Sequence, residues 1–317
     1  MQENLCSVAL IVLNYNTPEQ TISAVKKILE QKTGIRIVIT DNASTDGSFE
    51  KFQRAFKKSK DVFVIETDTN SGYAKGNNYG IAYAEKLDGV RYIGVMNPDV
   101  EIETKDLFLI IDALKDDTLG LVTGREIYNG KKIDPNPCAW RRQSLFRVVV
   151  SPTLVGGLLR RIAPKRVKAL EEKFYDCETY DKAVTPVYAV HGCCFFSRFE
   201  NWKKIGGFDE RTFLYWEEDI LAEKVCKAGL HNAVVRDAWY RHNHQEKDRL
   251  MQESRERFFH MRCALESRMV FLCEYSRYGW CLRTLLSFLC RTDIFLRKLL
   301  AHFFLRKKIS NFMTEDR

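Results

Sequence analysis

Over the first hundred residues short apolar runs alternate with helix-length polar segments, and no other feature restricts the fold so much. Residues 7–13, S-V-A-L-I-V-L, are continuously apolar, too few for a helix and suited to a strand buried on both faces. Residues 35–40, 62–66 and 92–96 repeat the pattern with β-branched and aromatic side chains. Between them, Thr17-Pro18-Glu19-Gln20 reads as a helix start, with threonine as cap, proline in the first turn and glutamine reaching back. Further helices are expected up to about residue 57 and over 73–87. Strand and helix in alternation predict a parallel sheet with helical crossovers.

Parallel strands share one C-terminal edge, where open α/β sheets collect ligands. The polar residues of this half fall at that edge: Asn16 after the first strand, Asp41 and Asp46 after the second, Asn70 after the third, Asp99 after the fourth. Asn97-Pro98-Asp99 stops its strand abruptly, since Pro98 cannot donate to a ladder and turns the chain. Each of these side chains alone reads as a turn or cap residue, but five such polar groups at one edge predict a pocket. Gly76 and Gly80, with Gly72 before them, lie four apart on one helix face and read as close packing on the sheet. There is no G-x-G-x-x-G and no G-x-x-x-x-G-K-[ST], which counts against a dinucleotide oxidoreductase or a P-loop enzyme.

Residues 119–124 read as another strand. The stretch 128–186 holds five of the seven prolines and several basic pairs, and its pattern defines only a long excursion with some helix. A strand is expected over 187–197, V-Y-A-V-H-G-C-C-F-F-S. Then Glu217-Glu218-Asp219 opens a helix ended by Gly229. Acidic residues suit a first helical turn, which accounts for Asp219. Glu217 and Glu218 follow Phe-Leu-Tyr-Trp, and an apolar wall raises a carboxylate toward the range of a useful base. His242 and His244, two apart on one side of an extended segment, form a metal hypothesis, beside the alternative of structural histidines.

The chain is expected to be cytoplasmic, because no window reaches the roughly eighteen apolar residues of a spanning helix and no basic, apolar leader precedes it. Ten scattered cysteines without a C-x-x-C pair read as reduced thiols. The net charge is +8, and residues 276–317 carry nine Lys/Arg against three acidic residues, +6 in that tail alone. That asymmetry points to a local anionic partner and away from nucleic acid. Leucines and phenylalanines at helical spacing over 280–305 read as an amphipathic basic helix for an anionic membrane surface; the alternative is a helix packed on the domain or on a second copy, making a homodimer.

V-L-N-Y-N (12–16), D-N-A-S-T-D-G-S (41–48), N-S-G-Y-A-K-G-N-N-Y-G (70–80), N-P-D (97–99), G-G-F-D-E-R-T-F-L-Y-W-E-E-D (206–219) and the His242 region, in this order, resemble the inverting family 2 glycosyltransferases of GT-A fold, and within them the rhamnosyltransferase-like enzymes of bacterial surface-polysaccharide assembly. The resemblance implies an α/β, Rossmann-like, mostly parallel central sheet flanked by helices. It implies a glycosyltransferase domain over 1–250, with a nucleotide-sugar half (1–125) and an acceptor half (126–250), followed by a helical tail over 251–317. It implies that Asp41 recognises the nucleotide base, that Asn14, Asn16, Asp46, Asn70, Gly72 and Lys75 line the donor site, and that Asn97-Pro98-Asp99 binds Mg²⁺ or Mn²⁺ and with it the diphosphate. His242, with His244 beside it, completes the metal shell, and the acidic cluster supplies the general base. Two departures stand out: Asn97 takes the first place of the usual D-x-D, and Asp219 follows Glu218 where Glu-Asp is more common, so either of the two is the base. The implied activity is metal-dependent transfer of a hexose or deoxyhexose, rhamnose favoured, from a nucleotide sugar to a glycan or lipid-linked acceptor. A non-catalytic scaffold of the same fold and another nucleotide-dependent α/β transferase are the rival classes.

Overall fold

The four apolar runs form β1 (Val8–Asn14), β2 (Arg36–Asp41), β3 (Val62–Glu66) and β4 (Tyr92–Met96), joined by α1 (Pro18–Glu30), α2 (Ser48–Phe56) and α3 (Gly72–Ala84). The protein is seen here as a computed structural model that describes residues 2–133, 136–150, 153–175, 182–243 and 254–315. These strands pair in parallel in the order β3-β2-β1-β4. The helix α1 begins where expected, but Thr17 does not cap it; its hydroxyl donates to Asn14 Oδ1 at 3.0 Å, drawn there by a buried amide at the end of β1.

The chain then forms β5 (Val100–Ile102), α4 (Thr104–Ala113), β6 (Leu119–Tyr128), β7 (Lys131–Lys132) and β8 (Ala139–Trp140). The proline-rich excursion holds α5 (Leu145–Val150), α6 (Leu154–Ile162) and α7 (Pro164–Tyr175), followed by β9 (Val184–Val187), β10 (Ala189–Val190) and β11 (Cys194–Arg198). After α8 (Phe199–Ile205), α9 (Glu217–Lys227) and β12 (His231–His242) come the tail helices α10 (Ser254–Val270) and α11 (Trp280–Glu315), with a π-helical turn at Phe271–Tyr275 between them.

The main sheet continues as β4-β11-β6-β12-β5, with β11 antiparallel to β4 and β6, and β12 parallel to β6. It is a mixed, largely parallel sheet running through both halves of the chain. One apolar core lies under α1, α2 and α4, and the other under α3, α8 and α9. The spacing of α3 on the sheet depends on missing side chains: a Cβ at Gly76 would stand 2.6 Å from Leu13 and one at Gly80 2.4 Å from Thr40.

The strand expected over 187–197 is in three pieces. Its break, at His191-Gly192-Cys193, has a local cause. Gly192 gives its N–H to Glu218 and its carbonyl to Tyr73 in place of ladder partners. No described helix is long and apolar enough to cross a membrane.

Candidate active site

The loops at the C-terminal edge are held first by one another. Asn14, fully buried, donates from Nδ2 to Asp41 Oδ1 at 2.8 Å and to Ser44 Oγ at 3.1 Å, and its Oδ1 accepts from Thr17 and Thr21. Asp41 is equally buried and also accepts from the Ser44 hydroxyl at 2.6 Å. These two are struts between β1 and β2. Asn16, exposed and at φ 54°, accepts from the Thr45 N–H; Asp46 accepts from the Ser48 N–H across the turn that leads into α2, whose N-cap position is Gly47. Asn42 donates to Asn70 Oδ1 at 2.9 Å and to the Gly72 carbonyl, fixing the turn before α3. Gly72 has φ +88°, and a Cβ there would lie 2.3 Å from the Phe213 carbonyl, which also takes the Tyr73 N–H at 2.8 Å. Lys75 is exposed one turn further on.

The fourth-strand motif and the histidine meet. β5, which follows Pro98 and Asp99, pairs antiparallel with the end of β12, with His242 opposite Val100. His242 Nε2 stands 3.3 Å from Asp99 Oδ2. The imidazole is aimed from behind: its Nδ1 lies 2.8 Å from Glu126 Oε1, while Glu126 Oε2 lies 3.0 Å from His191 Nδ1 and accepts from the Tyr240 hydroxyl at 3.2 Å. Glu126 is wholly buried. Burial opposes its ionisation, yet the hydrogen bonds from His191 and His242 bring the carboxyl down to about 2. Burial would likewise lower the His242 imidazole, but its hydrogen bonds to Asp99, Cys193 and Glu126 outweigh that and push it up to about 12. A carboxylate oxygen and an imidazole nitrogen so presented, with a second carboxylate fixing the ring, match the chemistry of a divalent-cation donor set.

Among the acidic residues opening α9, each has a different setting. Tyr215 and Trp216 precede them at φ 74° and 69°, left-handed values that non-glycine residues rarely hold outside strained or functional loops. Glu217 is only 5% exposed; burial, then the neighbouring Glu218 charge, push it up to about 8. Asp219 is buried behind the helix, where Gln143 donates to it at 3.0 Å; burial raises it to about 7 against that hydrogen bond. Glu218 is half-buried, and its Oε1 accepts the Gly192 N–H at 3.2 Å. Of the three carboxylates, then, Glu218 faces the broken strand.

That segment, 191–193, is where the separate motifs are joined. His191 holds Glu126 and through it His242; the Gly192 N–H holds Glu218; the Gly192 carbonyl accepts from the Tyr73 hydroxyl at 2.7 Å; the Cys193 carbonyl accepts from the Asn97 N–H at 2.8 Å. A cavity of about 370 Å³ opens beside Asp99, lined also by Glu19, Gln20, Lys27 and Asn243. Glu218 does not line it, and what joins Glu218 to Asp99 is this chain of contacts. His244 lies outside the described residues. Glu126, His191, Gly192 and Cys193 were not expected at the site. A glutamate amid the apolar strand 119–128 and a glycine inside an aromatic strand are the signals that could have found them.

The sequence pattern described as glycosyl transferase family 2 matches residues 9–201. A low-salt glycan biosynthesis hexosyltransferase of Haloferax volcanii is 27% identical over 68% of this chain, and the chain spans 61% of that protein. An N-acetylglucosaminyl-diphospho-decaprenol L-rhamnosyltransferase of Mycobacterium tuberculosis is 26% identical over 78% of this chain and 76% of its own length. The fold is shared with GalNAc-T7, solved with UDP, GalNAc and Mn²⁺, at TM-score 0.59 and 15% identity over 86% of this chain and 49% of that one. It is shared too with a mannosyltransferase of Pyrobaculum calidifontis in complex with GDP-Man and Mn²⁺, at TM-score 0.53 and 17% identity, covering 89% and 69%.

Proposed function

The chain belongs to glycosyl transferase family 2, and from that membership and the site geometry we propose that it is an inverting glycosyltransferase moving a hexose or deoxyhexose, rhamnose first, from a nucleotide sugar to a lipid-linked or glycan acceptor. The observation that carries this reading is the convergence on 191–193, which ties Asp99 and His242 to Glu218 although 143 residues separate the first two.

In the GT-A fold Asp99 and His242 would hold a divalent cation, Mg²⁺ or Mn²⁺, whose charge offsets that developing on the departing nucleoside diphosphate. Asn16, Asp46, Asn70, Gly72 and Lys75 stand where the donor's nucleoside and sugar would lie, on a frame braced by Asn14 and Asp41. Asn97 sets the turn that presents Asp99, its N–H anchored on Cys193. Glu218 takes the proton from the acceptor hydroxyl as that oxygen attacks the anomeric carbon, and the Gly192 N–H fixes the carboxylate oxygen beside it. Glu217 and Asp219, both raised by burial, support the helix start.

The rhamnosyltransferase relative supports rhamnose and a lipid diphosphate acceptor, as its name states its own substrate. Exposed Trp280, Leu285, Phe288 and Phe295 on α11, among Arg283, Arg291 and Lys298, support a site on an anionic membrane surface where such an acceptor resides. The test is a thermal-shift panel of UDP-, dTDP- and GDP-sugars with Mn²⁺, followed by transfer from the stabilising donor to a polyprenyl-diphosphate sugar. Stabilisation by a dTDP-deoxyhexose and transfer from it are expected; a chain that responds to no sugar nucleotide would contradict the reading.

A further inference from the structure

Behind the Asp99 edge two imidazoles, a thiol and a carboxylate converge on one largely buried centre. Glu126, His191, Cys193 and His242 each offer a ligand atom, and these atoms all lie within 4.8 Å of one another. Cys193 Sγ is 3.4 Å from His191 Nδ1, Glu126 Oε2 3.0 Å from the same nitrogen, and Glu126 Oε1 2.8 Å from His242 Nδ1. A tetrahedral zinc with bonds of about 2.3 Å to sulfur and about 2.0–2.1 Å to nitrogen or oxygen places its ligands roughly 3.3–3.6 Å apart. Those three separations lie near that shell, with Glu126 reaching the two rings through different oxygens; the other pairs lie within 4.8 Å, so closing the shell draws the ligands together.

We propose that Glu126, His191, Cys193 and His242 form a closed site for Zn²⁺. The donor set is thiolate, two imidazoles and one carboxylate, which suits a soft or borderline cation and not the oxygen-seeking Mg²⁺. Hydrogen bonding alone accounts for the Glu126 pairings; the buried Cys193 thiol, which donates to the Tyr240 hydroxyl at 3.6 Å, also brings a sulfur donor within 4.8 Å of both imidazoles and the carboxylate. The surroundings are those of a metal shell as well. The Tyr240 hydroxyl donates to Glu126 at 3.2 Å, and the Trp140 and Tyr128 rings stand against His191 and His242 with centroids 6.0 and 6.2 Å away.

The site shares a residue with the catalytic edge. Zinc on His242 Nδ1 displaces the proton held between that nitrogen and Glu126, and the ring then carries its proton on Nε2, the atom facing Asp99. An Nε2–H donates to Asp99 and offers no lone pair to a second cation. Zinc loading therefore opposes the binding of Mn²⁺ at Asp99, a consequence that rests on the glycosyltransferase reading, whereas zinc binding itself does not.

The experiment is a Co²⁺ titration of the chelator-treated full chain, read in the near ultraviolet for thiolate-to-cobalt charge transfer. Expected is a band that saturates at one equivalent, is bleached by Zn²⁺, disappears in Cys193→Ser and persists in Asp99→Ala. Thermal melts of each variant establish folding, and His191→Asn, which keeps the thiol, is expected to weaken Co²⁺ binding at least tenfold. No band in the folded parent chain, or a band surviving Cys193→Ser, overturns the site. Mn²⁺-dependent transfer without a band removes the zinc site alone, while a band on cobalt loading together with no transfer by the chelator-treated chain supplied with Mn²⁺ alone removes the enzymatic reading alone.

Discussion

Gly192 holds the Glu218 carboxylate through its N–H and α3 through its carbonyl, and the first contact depends on its lack of a side chain. A Cβ there would come 2.8 Å from Glu218 Oε1, so Gly192→Ala must push the carboxylate away from the Gly192 N–H. A displacement of about 1 Å can cost about 100-fold in rate, and a loss of that order in turnover is expected, with donor binding and melting temperature little changed; an active Gly192→Ala enzyme would detach Glu218 from the chemistry. Glu217 supplies a separate, pH-readable prediction. Its folded pKa, raised from 4.5 to about 8 by burial and the Glu218 charge, lies above its unfolded value. The folded state therefore binds more protons between those limits, and stability falls as pH rises from about 4.5 to about 8. Glu217→Gln should flatten that decline in a series of thermal melts, and an unchanged slope would mean that Glu217 does not carry it.

At the scale of elements, β3 and β4 were legible to the residue because unbroken apolar runs bounded by turns have few alternatives. The run 187–197 looked the same in composition, but its middle exchanges ladder partners for side chains from α3 and α9, which no local pattern records. The helix α11 shows another limit. Periodicity placed one apolar stripe on it, and the structure shows two: Leu286 and Cys290 pack with Val148 and Leu272, while Phe288 and Phe295 are 64% and 60% exposed. Packing and surface docking thus use different faces. Leu286→Ala should cost about 2–5 kcal/mol of stability. Phe288→Glu with Phe295→Glu should leave stability within about 0.5 kcal/mol and reduce sedimentation with anionic vesicles. Equal sedimentation of the double variant and the parent chain would remove the membrane role of that face.

For the whole molecule, sequence order indicated which motifs matter, and the sheet topology explains how they meet. β12 returns beside β6 and β5, so His242 arrives next to Asp99; β11 enters antiparallel to β4, so its preceding segment crosses from the Asp99–His242 pair to Glu218. That Asp99 and His242 stand together is what the resemblance implied, whereas the sequence left the choice between Glu218 and Asp219 open. Glu126 and His191 were not expected there, because a buried carboxylate and the imidazole paired with it meet only through the sheet topology and have no spacing of their own. The central claim is one cation at Asp99 and His242 carrying the sugar nucleotide, with Glu218 acting only on the acceptor. Calorimetric titration of the nucleoside diphosphate with and without Mn²⁺, on the parent chain, Asp99→Ala and Glu218→Gln, tests it most directly, with transfer assayed in parallel. The account predicts Mn²⁺-dependent binding that is lost in Asp99→Ala and kept in Glu218→Gln, with transfer abolished in both. Binding indifferent to Mn²⁺ and to Asp99, or full transfer by Glu218→Gln, would contradict it.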